Sequence, residues 1–137
     1  MMKAAAIIVC AGLAMATSAH AYSFTAGEML SHCAAVENAQ TVPGSGNVSF
    51  VPSFASGICW GYFGALMDVV RVREYNNINQ PVLYYCPSPE VLLDQYVRVF
   101  TLWARSHPEQ LHMDALAVAK SALMQAFPCP PVAGAKQ

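Results

Sequence analysis

Charge is scarce in this chain. Aspartate, glutamate, lysine and arginine make up 11% of its 137 residues, seven basic against eight acidic, and no stretch gathers a single sign. Without a basic patch or stripe, nucleic acid and anionic membrane surfaces are poor partners. Catalytic signatures are missing as well: H-E-x-x-H, G-x-S-x-G, the phosphate-cradling G-x-x-x-x-G-K and the dinucleotide G-x-G-x-x-G do not occur. Cysteines never fall in close C-x-x-C pairs, and no two histidines stand four residues apart on one helical face, so neither zinc pattern is present. These absences argue against an enzyme and call for no cofactor and no metal.

Hydrophobic residues, by contrast, are abundant at 55%. Their longest uncharged run, Ala4 to Ala16, follows Lys3 and precedes Ala19-His20-Ala21, the charged, apolar and small-residue succession of a secretory signal peptide. The run is too short to span a bilayer. We therefore expect residues 1–21 to be a cleaved leader and residues 22–137 to form one exported, periplasmic domain. Cys10 is a poor lipoprotein cysteine, because the β-branched Val9 precedes it where a small residue is needed. Asp94, Arg98 and Arg105 interrupt the richest apolar region beyond the leader, so no membrane segment is expected there.

Local signals predict four helices, and hence an all-α, four-helix bundle-like domain. Thr25-Ala26-Gly27-Glu28 is a capping box opening a helix to about Val36, with Met29, Leu30, Cys33 and Val36 on its apolar stripe. Thr41-Val42-Pro43-Gly44-Ser45-Gly46-Asn47 breaks it, giving a long flexible loop. Ser53 caps a second helix from Phe54 to about Arg73, whose apolar face is expected at Phe54, Ile58, Tyr62, Ala65, Leu66 and Val69. Gly57, Gly61, Gly64 and Asp68 lie on an adjacent stripe. Interior glycines cost roughly 0.5–1 kcal/mol each, so the stripe suggests another backbone packed close to it. Trp60, Phe63 and Met67 fall off the main face and read as second-layer core or interface anchors. Asn76 to Pro81 ends the helix. Ser88-Pro89-Glu90 reads as the start of a third helix with a stripe at Leu92, Tyr96, Val99 and Trp103. Ser106-His107-Pro108-Glu109 reads as the start of a fourth, with Leu111, Ala115, Val118, Ala122 and Phe127 facing inward. So short a link makes helices three and four antiparallel neighbours.

That geometry selects among the three possible pairings of Cys33, Cys59, Cys86 and Cys129, an even number in an oxidising compartment. Cys86 precedes helix three and Cys129 follows helix four, while Cys33 ends helix one and Cys59 begins helix two. The expected disulfides are Cys33–Cys59 and Cys86–Cys129, each contributing roughly 3–4 kcal/mol in the chain-entropy model. With every thiol committed, no Cys–His nucleophile remains. Asp68 has two readings: a carboxylate paired at a helix seam, or a recognition group at the rim of a partner groove.

Taken together, Thr25-Ala26-Gly27-Glu28-Met29-Leu30 with Cys33, Cys59-Trp60-Gly61-Tyr62-Phe63-Gly64 with Asp68, Cys86-Pro87, and His107-Pro108-Glu109 through Ala126-Phe127-Pro128-Cys129 resemble the Rap/Tai family of type VI secretion amidase immunity proteins. The resemblance covers nearly the whole chain after the leader. It implies a periplasmic helical protein, often a homodimer, that binds a cognate peptidoglycan amidase effector and plugs it with a protruding loop. The motif residues themselves look structural. The partner-binding candidates, taken from exposure and turn chemistry, are Arg105, Ser106, His107 and Glu109 in the turn, Asp68, and the Pro43 to Pro52 loop. A periplasmic helical chaperone or stress-related binding protein is the alternative, and a small-molecule binding module would need a ligand-sized cavity between helices.

Overall fold

The first helix begins where the chain itself closes the box. The Thr25 hydroxyl accepts from the Glu28 amide at 3.2 Å and the Glu28 carboxylate accepts from the Thr25 amide at 2.8 Å, satisfying donors that a helix start leaves free. In the computed structural model, which describes residues 23–37, 40–41, 48–49, 51–75 and 82–130, α1 runs Ala26–Cys33 and tightens into a 3-10 turn over Ala34–Val36. The leader region and Asn76 to Pro81 lie outside the described residues, as does most of the loop expected to be flexible. Its flanks pair as a two-residue antiparallel ladder, β1 (Gln40–Thr41) with β2 (Val48–Ser49).

Ser53 caps α2 (Phe54–Tyr75) as expected, but through a reciprocal pair with Ser56: each hydroxyl accepts the other's amide, at 3.0 and 2.8 Å. The buried stripe of α2 is Ser56, Cys59, Phe63 and Val70, with Leu66 and Met67 packed against the core. It lies about a third of the way around the helix from the face that hydrophobicity selected. Phe54 is 83% exposed and Ala65 and Val69 are exposed too. Gly57 and Gly61 of the glycine stripe face away from the core, while Gly64 lies half-buried beside Leu93. A β-carbon added at Gly57 or Gly61 would meet nothing within 4 Å, so among the described residues no backbone packs there. Asp68 is exposed and sits at no seam.

Two helix starts move. Ser88-Pro89-Glu90-Val91 forms a turn, its Val91 amide donating to the Ser88 carbonyl at 3.1 Å, as expected of Ser and Pro in the first two positions of a β-turn. Helix α3 begins only at Leu93 and ends at Ser106, the Gln95 amide oxygen accepting from the Leu92 N–H at 2.8 Å. Its buried residues are Tyr96, Val97, Phe100, Thr101 and Ala104. Pro108 then starts a 3-10 turn, Pro108–Gln110, and the true cap of α4 (Ala115–Ala126) is Asp114, which accepts from the Leu116 amide at 2.8 Å and the Ala117 amide at 3.4 Å.

Helix α1 touches all three other helices, and α3 packs on α2 and α4. The core gathers Met29, Cys33, Cys59, Phe63, Tyr85, Tyr96, Phe100 and Leu123, with Phe63 and Phe100 in tilted contact at 5.1 Å. Both expected disulfides form, Cys33–Cys59 at the junction of α1 and α2 and Cys86–Cys129 joining the start of α3 to the end of α4. Beside the latter, the Cys86 amide donates to the Phe127 carbonyl at 2.8 Å. Tyr96 near the start of α3 meets Phe127 after the end of α4 at 5.7 Å, so the two helices are antiparallel. Tyr84 takes a left-handed conformation, φ 61°. That reversal sends Tyr85 into the core and leaves the Tyr84 ring under Lys120 at 4.8 Å.

Candidate functional site

The link between α3 and α4, Ser106 to Asp114, is built around Trp103 in the last turn of α3. The His107 ring stacks on its indole, centroids 4.1 Å apart and planes within 14°. The indole N–H donates to the Gln110 side-chain oxygen at 3.2 Å. The Trp103 carbonyl accepts the Ser106 hydroxyl at 2.9 Å and lies 3.0 Å from His107 Nδ1, so serine and histidine together close the free carbonyl end of the helix. Ser106 Oγ and His107 Nδ1 are also 3.0 Å apart. Both groups converge on the same carbonyl, an arrangement that caps the end of the helix.

Behind the link, its carbonyls satisfy α1. The Gly27 amide donates to the Leu111 carbonyl at 2.9 Å and the Ala26 amide to the Met113 carbonyl at 2.8 Å, while the Ala115 amide donates to the Phe24 carbonyl at 2.8 Å. Thr25 and Asp114 form a single antiparallel bridge. Glycine lets the two backbones approach at 27: a β-carbon there would stand 3.2 Å from the Leu111 oxygen, which would have to give by a few tenths of an ångström. The outcome is a turn held internally by the Gln110-to-His107 and Met113-to-Gln110 backbone bonds, both 2.9 Å, and rooted in the core. Ser106, Pro108, Glu109, His112 and Met113 face outward.

Arg105, one residue before the link, pairs with Glu37 across to the 3-10 turn after α1, and half of its side chain stays exposed. It borders a surface groove of about 260 Å³ floored by Val36, Trp60 and Val97 and flanked by the exposed Leu102. Asp94 edges the groove; one carboxylate oxygen lies 3.9 Å from Arg98 and the other is buried without a hydrogen-bond partner. Of the residues expected to meet a partner, Arg105, Ser106, His107 and Glu109 therefore come together on one ridge, with His107 half-buried. Asp68 does not join them: it lies eight residues beyond Trp60, about 12 Å farther along α2. Sequence reasoning missed Trp103, Gln110 and Glu37. Asp114 ahead of an alanine-rich helix was a readable capping signal that the nearer Ser106 box obscured.

Among the described residues no cluster of histidine, cysteine, aspartate or glutamate could hold a metal, and no helix is long and apolar enough to cross a membrane. All four described cysteines are disulfide-bonded. What the arrangement offers is a stiff ridge with mixed charge beside a partly apolar groove, the anatomy of a binding protein. The model of the family described as Rap1a immunity proteins matches residues 25–129. The chain belongs to that family and is an immunity protein by membership. No curated protein and no solved structure matches the chain significantly.

Proposed function

We propose that this chain is a periplasmic immunity protein that binds and inhibits a peptidoglycan amidase effector of type VI secretion. It places the α3–α4 link against the enzyme and so protects the producing cell. The observation that carries this reading is the preorganised link. A ridge fixed by stacking on Trp103 and by backbone bonds to α1 loses little freedom on binding, so more of the contact energy appears as affinity. Family membership supplies the class of partner. The leader pattern before Tyr22 and the two disulfides support export to an oxidising compartment. A homodimer fits the outer face of α2, where Phe54, Gly57, Gly61, Ala65 and Val69 leave a smooth, apolar and exposed strip.

The test is inhibition of candidate peptidoglycan amidase effectors, measured by peptidoglycan hydrolysis. Arg105→Ala with Glu109→Ala removes two exposed heads without touching Trp103. Inhibition is expected to weaken about 10- to 100-fold, the range of a pair of interface anchors, with the thermal midpoint nearly unchanged. Full inhibition by this variant and by His112→Ala would reduce the link to a structural role.

A further inference from the structure

A second cavity, about 320 Å³, lies on a different part of the molecule, between the later turns of α2 and the segment that leads from Cys86 into α3. Met67, Val70, Pro87, Pro89 and Val91 give it apolar walls. Besides Ser88, whose hydroxyl is engaged by Glu90, two polar groups break them.

The first is Tyr96. Its ring is fully buried, edge-on to Tyr85 at 6.0 Å, and its hydroxyl has no hydrogen-bond partner. The contrast with its neighbour is informative: the Tyr85 hydroxyl donates to the Leu66 carbonyl at 3.2 Å. Buried donors are almost always matched by an acceptor, and an unmatched one calls for a reason, an absent ligand among them. The second is Arg71, exposed on α2 and lining the same cavity. Among the residues whose side chains are described, none carries a carboxylate within ion-pair distance of it. Asp68, one turn earlier on α2, is not paired with it, and the exposed Glu90 carboxylate is held by the Ser88 hydroxyl. The Arg71 charge does reach the phenol, where it partly opposes the burial that pushes Tyr96 up to about 12.

We propose that this cavity binds a small organic carboxylate with a short apolar body. Arg71 pairs with the carboxylate, the Tyr96 hydroxyl donates to it, and the body lies against Met67, Val70, Val91 and the two prolines. A planar guanidinium and a buried O–H select an anion with two acceptor oxygens over a neutral amide, because the amide leaves the arginine unpaired and offers only one acceptor. At about 30 Å³ for each water-sized group, the volume holds a ligand of roughly ten non-hydrogen atoms. The chemistry suits a short acyl chain or the end of a peptide equally. This site is separate from the α3–α4 link, so its fate is independent of the inhibitory role.

The experiment is a titration of the folded, isotope-labelled protein with hexanoate, followed by amide shifts in two-dimensional NMR, with isosteric hexanamide as the neutral control. Saturable shifts at Val70, Arg71, Ser88 and Val91 with a Kd on the order of 1 mM are expected, a weak affinity in keeping with so few atoms. Hexanamide should bind at least about tenfold more weakly, as should hexanoate to Arg71→Gln. Tyr96→Phe gives the more distinctive signature. Because it deletes an unmatched hydroxyl, the variant should keep or raise its thermal midpoint without ligand and still lose about tenfold in hexanoate affinity. Arg105→Ala should bind hexanoate as the parent does. N-acetylalanine binding more tightly than hexanoate would assign a peptide end, and the reverse an acyl chain. No saturable shift at about 20 mM, well above the millimolar range of such small ligands, would overturn the proposal. So would equal binding of hexanamide, or a Tyr96→Phe variant that is destabilised and binds unchanged.

Discussion

Replacing each disulfide by a serine pair separates what covalent ties contribute from what the apolar core contributes. Cys33–Cys59 closes a separation of 26 residues and Cys86–Cys129 one of 43. In the chain-entropy model these ties are worth about 3.5 and about 4 kcal/mol, so loop length alone makes the second slightly the more important. Burial reverses the order. Cys33 and Cys59 are both fully buried in one cluster with Met29 and Phe63, whereas Cys86 and Cys129 are half-buried. Serines at 33 and 59 would place two hydroxyls in that cluster at about 1–3 kcal/mol each. The total loss, about 6–9 kcal/mol, is comparable with the whole stability of an ordinary domain. Cys33→Ser with Cys59→Ser is therefore expected to be largely unfolded at room temperature. Cys86→Ser with Cys129→Ser should lose about 4 kcal/mol and stay folded. It should also inhibit the effector normally below its midpoint, since that disulfide closes the ends of α3 and α4 opposite the link. Urea unfolding followed by far-ultraviolet circular dichroism measures both. A core double variant with a midpoint at or above that of the outer one would refute the argument from burial.

Asp114→Ala removes the cap of α4 and should cost about 1–2 kcal/mol in urea unfolding, while Asp114→Asn, which keeps an acceptor, should cost much less; equal losses would mean that charge and not capping matters. Burial pushes Tyr62 and Tyr96 up to about 12 and raises Tyr85 further. The folded state thus holds these protons more tightly than the unfolded chain, and the stabilisation is complete below about pH 10 and is lost as the pH rises through about 12. The thermal midpoint should fall across that window in step with tyrosinate absorbance, and ionisation of all the tyrosines near pH 10 in a still-folded protein would contradict it. Trp103→Leu removes the stack under His107 and the bond to Gln110, so inhibition should weaken about tenfold while the fold survives. Gly57→Ala with Gly61→Ala fills open space on an exposed helix face and should raise stability by about 0.5–1 kcal/mol per site. If copies meet on that strip, the same variant should sediment as a smaller species, whereas an unchanged dimer would place the contact elsewhere.

The helices whose faces were legible were those with a polar side. On α1, Met29, Cys33 and Val36 are buried as their spacing required, and on α4 so are Ala115, Val118 and Ala122. Helix α2 is apolar almost all the way round, so hydrophobicity could not choose a face. Phe54 and Ile58 outweighed Ser56 and Cys59, although the disulfide had already placed Cys59 against α1. Helix α3 misled differently. Trp103 and Val99 drew the stripe towards themselves, yet the chain seals Val97, Phe100, Thr101 and Ala104 instead, Phe100 against Phe63 of α2. Misplaced starts share one cause. A Ser-Pro or His-Pro step suits a helix start and a tight turn equally. Residues farther along the chain decide between them, Gln95 reaching back to Leu92 in one case and Asp114 capping in the other.

The site was legible in outline for a related reason. Its roots are hydrogen bonds between residues far apart in the chain, Gly27 to Leu111 and Ala26 to Met113, and no local pattern announces such pairs. Many of the residues that carry the family resemblance hold the molecule's interior and joints. Thr25 caps α1, Gly27 admits the Leu111 carbonyl, Cys59 and Cys129 close the disulfides, the Phe127 carbonyl receives the Cys86 amide, and His107 stacks on Trp103. Of the side chains proposed to meet a partner, Arg105 carries none of it, whereas Glu109, exposed on the crest, belongs to it. A scaffold held at the root of the ridge can keep its fold while the crest changes, because substitutions at exposed positions cost little stability. The fold is therefore written largely in residues at that root. On the proposed reading, the identity of the effector is written in a handful of exposed heads, whose meaning exists only against the complementary surface.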